Sequence, residues 1–287
     1  MTKEHNKEFY SFSMVNCLKL MPQWDWQAFG TIMELAGTSR VELVPGFLFG
    51  SDWDNQITSD DDLKGQLDQL KKCYCVTSIQ SLTFGLEINL GEPLVGNPSV
   101  RRRFIALAEL GKQLACDVFV LGSPGQKKLP ETLREVHKSK DNFIANCSWF
   151  ASLLSGIGIL SLEHNTIKQG AEFCNTLGDI IDAVLSVRGN EISNIGINLD
   201  TKCLIHEFGD SFRLTELLYS YKLHPLICSI QVSLDFLERS CAHQDQDVKA
   251  LLDVARAYGL PISLEEFGLE NQQLERLTML WNSHLVD

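Results

Sequence analysis

The sequence predicts a single (β/α)8 barrel, and three observations lead to it. Eight short apolar or β-branched runs recur along the chain, and helix-period segments lie between them. The length of 287 residues also suits one such barrel, which typically takes roughly 250.

The runs fall at residues 10–17, 40–45, 73–79, 116–121, 158–162, 195–199, 226–232 and 260–264. Each is short enough to be a buried strand. Successive starts are separated by roughly 30 to 40 residues, the length of one strand, one helix and two short loops. Helical periodicity appears at 26–35, 63–72, 100–114, 141–154, 177–186, 212–221, 248–258 and 274–281. Ser59 with Asp62, Asp210 and Asp245 stand where a side-chain oxygen would cap a first turn. Continuous apolar strands alternating with helices imply a parallel sheet covered by helices, either closed or open. No GxGxxG turn follows an early strand, which removes the usual mark of an open dinucleotide-binding sheet. The longest irregular stretches, 45–62 and 84–99, follow the second and third strands and are expected at the C-terminal mouth as lids. With no Pro- or Ser-rich linker, one domain is expected over 1–287, with 1–8 as a solvated lead-in.

Composition narrows the function classes. At 44% hydrophobic and 22% charged the chain reads as a soluble globular protein, and no apolar run is long enough to span a bilayer. The start, MTKEHNKEFYSF, lacks the parts of a secretory signal. Nine cysteines are scattered without a CxxC pair, against a zinc cluster or disulfide framework, so a reducing, cytoplasmic compartment is expected. A net charge of -12 repels phosphate backbones and speaks against nucleic acid. Arg101-Arg102-Arg103 reads as a solvated helix face. A homo-oligomer is among the expectations.

Four polar residues, Glu163, Asp200, Gln231 and Glu265, end the last four apolar runs. In a barrel such positions converge above the core. A single strand-end acid more often caps a helix or pairs with lysine. Three acids together repel one another in a partly dry site unless a cation is present. An all-oxygen set suits Mn2+ or Mg2+ better than Zn2+.

The segments Leu162-Glu163-His164-Asn165, Leu199-Asp200-Thr201, Ile230-Gln231-Val232-Ser233 and Ile262-Ser263-Leu264-Glu265 resemble successive strand-end motifs of the sugar phosphate isomerase/epimerase family, the xylose isomerase-like TIM barrels. Ser78-Ile79-Gln80-Ser81-Leu82 with Phe84-Gly85, and Gly122-Ser123-Pro124, resemble its third and fourth strand ends. The resemblance runs from about the first strand to Glu265. It implies metal ligation by Glu163, Asp200 and Glu265, with the fourth ligand position on Gln231, and makes Glu163 and Glu265 the acid and base. The sequence departs from the family at three points. Gln231 stands where the family usually has His, Asp200 is followed by Thr201, Lys202 and Cys203 without the His that often comes next, and Gly125-Gln126-Lys127-Lys128 replaces a Lys-Asn-Arg run.

The expected function is therefore a metal-dependent isomerase or epimerase acting on a sugar, sugar phosphate or similar small hydroxy-ketone by enediolate proton transfer. Glu42, Gln80, Asn165 and Lys127 are the expected substrate contacts, Lys127 as a point charge toward a phosphate or carboxylate. Hydrogen bonding within the fold is as good an account of Glu42 and Gln80. His206, beside Glu207, is a candidate replacement for the lost imidazole. Trp24, Trp26 and Phe47 offer apolar surface near the mouth, with packing as the default. The competing reading is a catalytically degenerate barrel that binds a small molecule or a protein, and residue 231 is where the two readings part.

Overall fold

In a computed structural model the chain closes eight parallel strands in sequence order, the last pairing with the first. The described residues are 10–284 apart from 22, 51, 57–60, 81–87, 95–96, 130–134, 210–212, 221–222, 243–245 and 267–268. The strands are β1 (Tyr10–Ser13), β2 (Arg40–Leu43), β3 (Cys75–Gln80), β4 (Val118–Leu121), β5 (Ile159–Glu163), β6 (Ile195–Asp200), β7 (Ile227–Val232) and β8 (Ile262–Leu264). The main covering helices are α1 (Trp26–Ala36), α2 (Asp61–Cys73), α3 (Pro98–Leu114), α4 (Val136–Leu153), α5 (Leu177–Arg188), α6 (Leu214–Ser220), α7 (Gln246–Tyr258) and α8 (Asn271–His284). The expected lead-in at 1–8 and the expected caps at Ser59, Asp210 and Asp245 lie outside the described residues, as do Ser81, Leu82, Phe84 and Gly85.

Local chemistry sets several boundaries. Asp25 accepts from the main-chain N–H groups of Gln27 (2.8 Å) and Ala28 (3.4 Å) and so starts α1, which Gly37 ends at φ 70. Asn97 accepts from Val100 N at 3.3 Å, and Pro98 opens α3. The first run ends earlier than its composition predicts. After Ser13 the chain turns into a 3-10 turn (Met14–Asn16) and a helical turn (Cys17–Leu20), with Ser13 Oγ accepting from Val15 N. The stretch 45–62, expected to be irregular, contains the short helices Pro45–Phe49 and Trp53–Gln56. Two further helices, Thr201–Phe208 and Leu234–Ala242, follow β6 and β7 so closely that periodicity does not separate them from the strands.

The apolar core lies between strands and helices. Leu160, Leu162, Ile195, Ile197 and Leu199 pack with Phe143, Phe150, Ile180 and Val184 in one buried cluster. The barrel interior differs from the apolar layers usual in this architecture. Ser161 Oγ on β5 lies 2.6 Å from Ser229 Oγ on β7, and Ser229 donates to Asn198 Oδ1 on β6 at 2.7 Å. Strands β5 and β7 are not neighbours, so this bond crosses the interior. Strands β5, β6 and β7 thus turn polar side chains inward and are not continuously apolar, whereas β4 is apolar throughout. Among the described residues no helix is long and apolar enough to cross a membrane.

Candidate active site at the barrel mouth

The ends of β4, β5 and β6 build one side of the mouth. Glu163 closes β5 and lies directly over Gly122, where any Cβ would collide with its carboxylate. Asn165 donates to Glu163 Oε1 at 2.6 Å. Lys127, on the 3-10 turn after β4, is 0% exposed, and its ammonium donates to the Glu163 main-chain oxygen and, at 2.7 Å, to Asn165 Oδ1. Asp200 ends β6 and caps the helix Thr201–Phe208, its Oδ1 accepting from Lys202 N (2.7 Å) and Cys203 N (3.4 Å). Three residues on, Cys203 Sγ donates to Asp200 Oδ2 at 2.9 Å and lies 3.7 Å from Glu163 Oε1. Glu163, Asp200 and Cys203 are all buried, and each offers a donor atom within 4.8 Å of the others. They are close enough to share one ion.

The ends of β2, β3, β7 and β8 build the other side. The Gln80 amide donates to Glu42 Oε1 at 2.6 Å and to Glu265 Oε2. The Gln231 amide donates to the same two oxygens, at 3.1 Å to Glu42 and 2.5 Å to Glu265. Ser78 Oγ completes Glu42 at Oε2, 2.8 Å away. Gln231 Oε1 accepts from Asn198 Nδ2. Residue 231 therefore turns its N–H groups toward the carboxylates, while its oxygen is engaged inside the barrel.

Burial and crowding raise the proton affinity of both expected acid/base residues. Glu163 is pushed well above the ordinary carboxylate range by desolvation first and Asp200 second, against the pull of Lys127. Glu265 is pushed up by desolvation and then by Glu42, Glu163 and Asp200. Desolvation holds Lys127 below the usual lysine range, opposed by Glu163. Beside them Glu266, next to Glu265 in sequence, pairs with Lys202 and accepts from Leu234 N at 3.1 Å. Its own N–H donates to Asn16 Oδ1 at 2.5 Å, and Asn16 Nδ2 donates to Leu264 O at 2.8 Å. These bonds tie the end of β8 to the turn after β1.

The structure brings the predicted residues together as two groups. Glu163, Asp200, Asn165 and Lys127 form the first, and Glu42, Gln80, Gln231 and Glu265 the second. Sequence reasoning passed over Cys203, whose position three residues after a helix-capping Asp200 puts both on one side of a first turn. The candidate imidazole, His206, is not in the ion-sized group, and its Nδ1 is buried without a partner. His164 is fully buried with Nε2 3.2 Å from Glu207 Oε2. Trp24 packs on Trp26, Phe29 and Phe47, as the packing default expects.

No protein-family model and no curated protein sequence matches the chain. Solved structures do match along nearly all of it. The D-psicose 3-epimerase of Clostridium cellulolyticum H10, solved with D-tagatose, is 14% identical at a TM-score of 0.63, covering 96% of this chain and 98% of that one. The 3-keto-D-glucoside 4-epimerase YcjR of E. coli is 15% identical at 0.62, with the same coverage of 96% and 98%. A xylose isomerase domain containing protein of Salmonella typhimurium LT2 is 12% identical at 0.59, covering 96% of each. The chain has the closed (β/α)8 barrel fold of these structures. At such identities the likeness speaks for architecture, and the chemistry of this barrel has to be argued from its own mouth.

Proposed function

We propose that this barrel is an isomerase or epimerase of a small sugar, sugar phosphate or related hydroxy-ketone. The observation that carries the reading is the pair Glu163 and Glu265, two carboxyl groups of raised proton affinity launched from β5 and from the end of β8 into one mouth. A carboxylate that binds a proton more tightly than usual is matched to taking one from carbon and returning it near neutral pH. Glu163 is oriented for this by Asn165, whose amide is itself fixed by Lys127. Glu265 is oriented by Gln80 and Gln231.

One carboxyl takes the proton from the carbon bearing hydroxyl, leaving an enediolate, and a carboxyl returns a proton to the adjacent carbon or to the opposite face of the same one. Asn165, Gln80 and Glu42, expected as contacts to the sugar, are buried and bonded around the two acids, so their part in this reading is to position Glu163 and Glu265. A divalent cation held by Glu163 and Asp200 would polarise the carbonyl and steady the negative charge as it develops. The expectation of Mn2+ or Mg2+ belongs to this proposal, as do a carbohydrate ligand, a cytoplasmic setting and a homo-oligomeric state.

The test is proton exchange at carbon. Incubation with a panel of ketoses, aldoses and their phosphates in D2O, with divalent cations added, should place deuterium on the carbon next to the carbonyl, read by NMR. Glu163→Gln and Glu265→Gln should each lower exchange by about 10²- to 10⁴-fold. Folded protein that exchanges no member of the panel under any cation would favour the second reading, a barrel that binds without catalysis. One observation supports that reading: the Gln231 amide points N–H groups, not oxygen, at Glu265.

A further inference from the structure

The barrel has two ways to hold a cation at its mouth, and the geometry separates them. The four strand-end residues do not converge as ligands. Gln231 Oε1 already accepts from Asn198, and both amides, Gln80 and Gln231, occupy Glu265 Oε2. Turning Gln231 around to offer its oxygen would set its N–H groups against the Asn198 N–H and leave Glu42 and Glu265 without their shared donors.

The cluster around Cys203 is arranged the other way. Asp200 Oδ1 is tied to two main-chain N–H groups, and Oδ2 has the Cys203 thiol as its partner. Glu163 is 8% exposed, yet its Oε2 has no hydrogen-bond donor among the described residues, since Asn165 and Cys203 both address Oε1. The nearby ammonium groups are spent elsewhere. Lys127 is on the Glu163 main-chain oxygen and Asn165, and Lys202 is on Glu266. Two buried carboxylates thus face each other and a thiol with no cation on either carboxylate oxygen, an arrangement that calls for a positive ligand.

We propose that Glu163, Asp200 and Cys203, the last as thiolate, bind a thiophilic divalent cation of the zinc class, with Glu265 outside the coordination sphere. A tetrahedral zinc with sulfur at about 2.3 Å and oxygen at about 2.0 to 2.2 Å places sulfur and oxygen roughly 3.5 Å apart. The sulfur-to-oxygen spacings of 2.9 and 3.7 Å bracket that figure, so a small side-chain adjustment suffices. Binding exchanges the thiol S–H bond for a sulfur–metal bond, and the proton leaves to solvent. Gln169 borders the site: its Oε1 already accepts from Thr166 N at 2.8 Å, and its Nε2, 3.2 Å from Cys203 Sγ, is placed to donate to the thiolate. A thiolate in the set selects against Mg2+ and Mn2+. This inference rests on the reading above and replaces the Mn2+ or Mg2+ expected there with a thiophilic ion. It is tested by binding alone, so it can fail while the proton-transfer chemistry stands.

The experiment titrates purified full-length protein with Co2+ and follows the near-ultraviolet and visible spectrum. The expected result is a thiolate-to-cobalt charge-transfer band that Zn2+ abolishes by displacement and that Mg2+ and Mn2+ leave in place even in large excess. Cys203→Ser should remove the band and weaken Zn2+ binding more than about tenfold, whereas Gln231→Ala should keep the band. Folding of each variant is checked by circular dichroism, and if Cys203→Ser does not fold, Asp200→Asn must remove the band in its place. A band that survives Cys203→Ser belongs to another thiol and overturns the assignment. So does Co2+ binding without a charge-transfer band, or a folded wild-type protein that takes up neither Co2+ nor Zn2+. Failure of deuterium exchange with the band present would count against the proposed reaction and not against this site.

Discussion

Glu163 ends β5 and Glu265 directly follows β8 at the same mouth, and their neighbours treat them differently. Glu265 shares two amide groups with Glu42, so the β2, β3, β7 and β8 side meets its negative charge with neutral N–H donors from within the chain. Glu163 shares its side with Asp200 and a thiol, and the one lysine beneath it is spent on main-chain and amide oxygens. The difference shows two solutions to the same electrostatic problem in one mouth. One is complete in the chain itself, and the other leaves room for something to be added.

The largest expected effect comes from breaking the self-sufficient side. Gln231→Leu removes both N–H contacts and leaves the buried Glu42 and the half-buried Glu265 short of donors, so urea unfolding at neutral pH should show a loss of about 3 kcal/mol. Equal stability to wild type would mean that the amide bridge is not formed in solution. Gly122→Ala probes the other side. Its methyl group enters the space of the Glu163 carboxylate and should cost about 2 kcal/mol as well as weakening cation binding. A variant with unchanged stability and affinity would place Glu163 elsewhere.

Acidity sharpens the comparison further. Glu163 and Glu265 both hold protons more tightly folded than their ordinary value of 4.5, so the folded chain binds more protons than the unfolded one in this range. Their contribution to stability is full below about 4.5 and is lost as pH rises through the raised folded values. Cation-free wild-type protein should lose more thermal stability than the double variant Glu163→Gln, Glu265→Gln as pH climbs from that value toward neutral. Parallel Tm curves would contradict the assigned burial. The smallest effect is expected at Lys202→Met, which removes the partner of Glu266 at a half-open position and should cost about 1 kcal/mol without altering deuterium exchange more than severalfold.

Much of the architecture was legible because strand and helix periods are local. The eight runs and their spacing gave the parallel barrel, and Glu163, Asp200, Gln231 and Glu265 stood out as polar residues ending apolar runs. What the chain did not spell out depends on strands that are far apart in sequence. Ser161, Asn198 and Ser229 lie inside runs read as continuously apolar, yet they meet across the interior. Which end of the Gln231 amide faces Glu265 is decided by Asn198 on the neighbouring strand. Lys127, expected to meet substrate as a point charge, is buried because its turn aims it at Glu163 and Asn165. Cys203 was hidden by the unpredicted helix that begins at Thr201 directly after β6.

The interior polar residues have a directional consequence. Cys228 donates to Ser161 at 3.0 Å, Ser161 can pass its hydroxyl hydrogen to Ser229, Ser229 gives to Asn198, Asn198 to Gln231, and Gln231 to the carboxylates. The chain of gifts runs one way, from the floor of the cylinder to its rim. The two hydroxyls can turn either way, but neither amide can reverse without aiming an oxygen at a carboxylate, so the direction of the whole series is fixed from the rim downward.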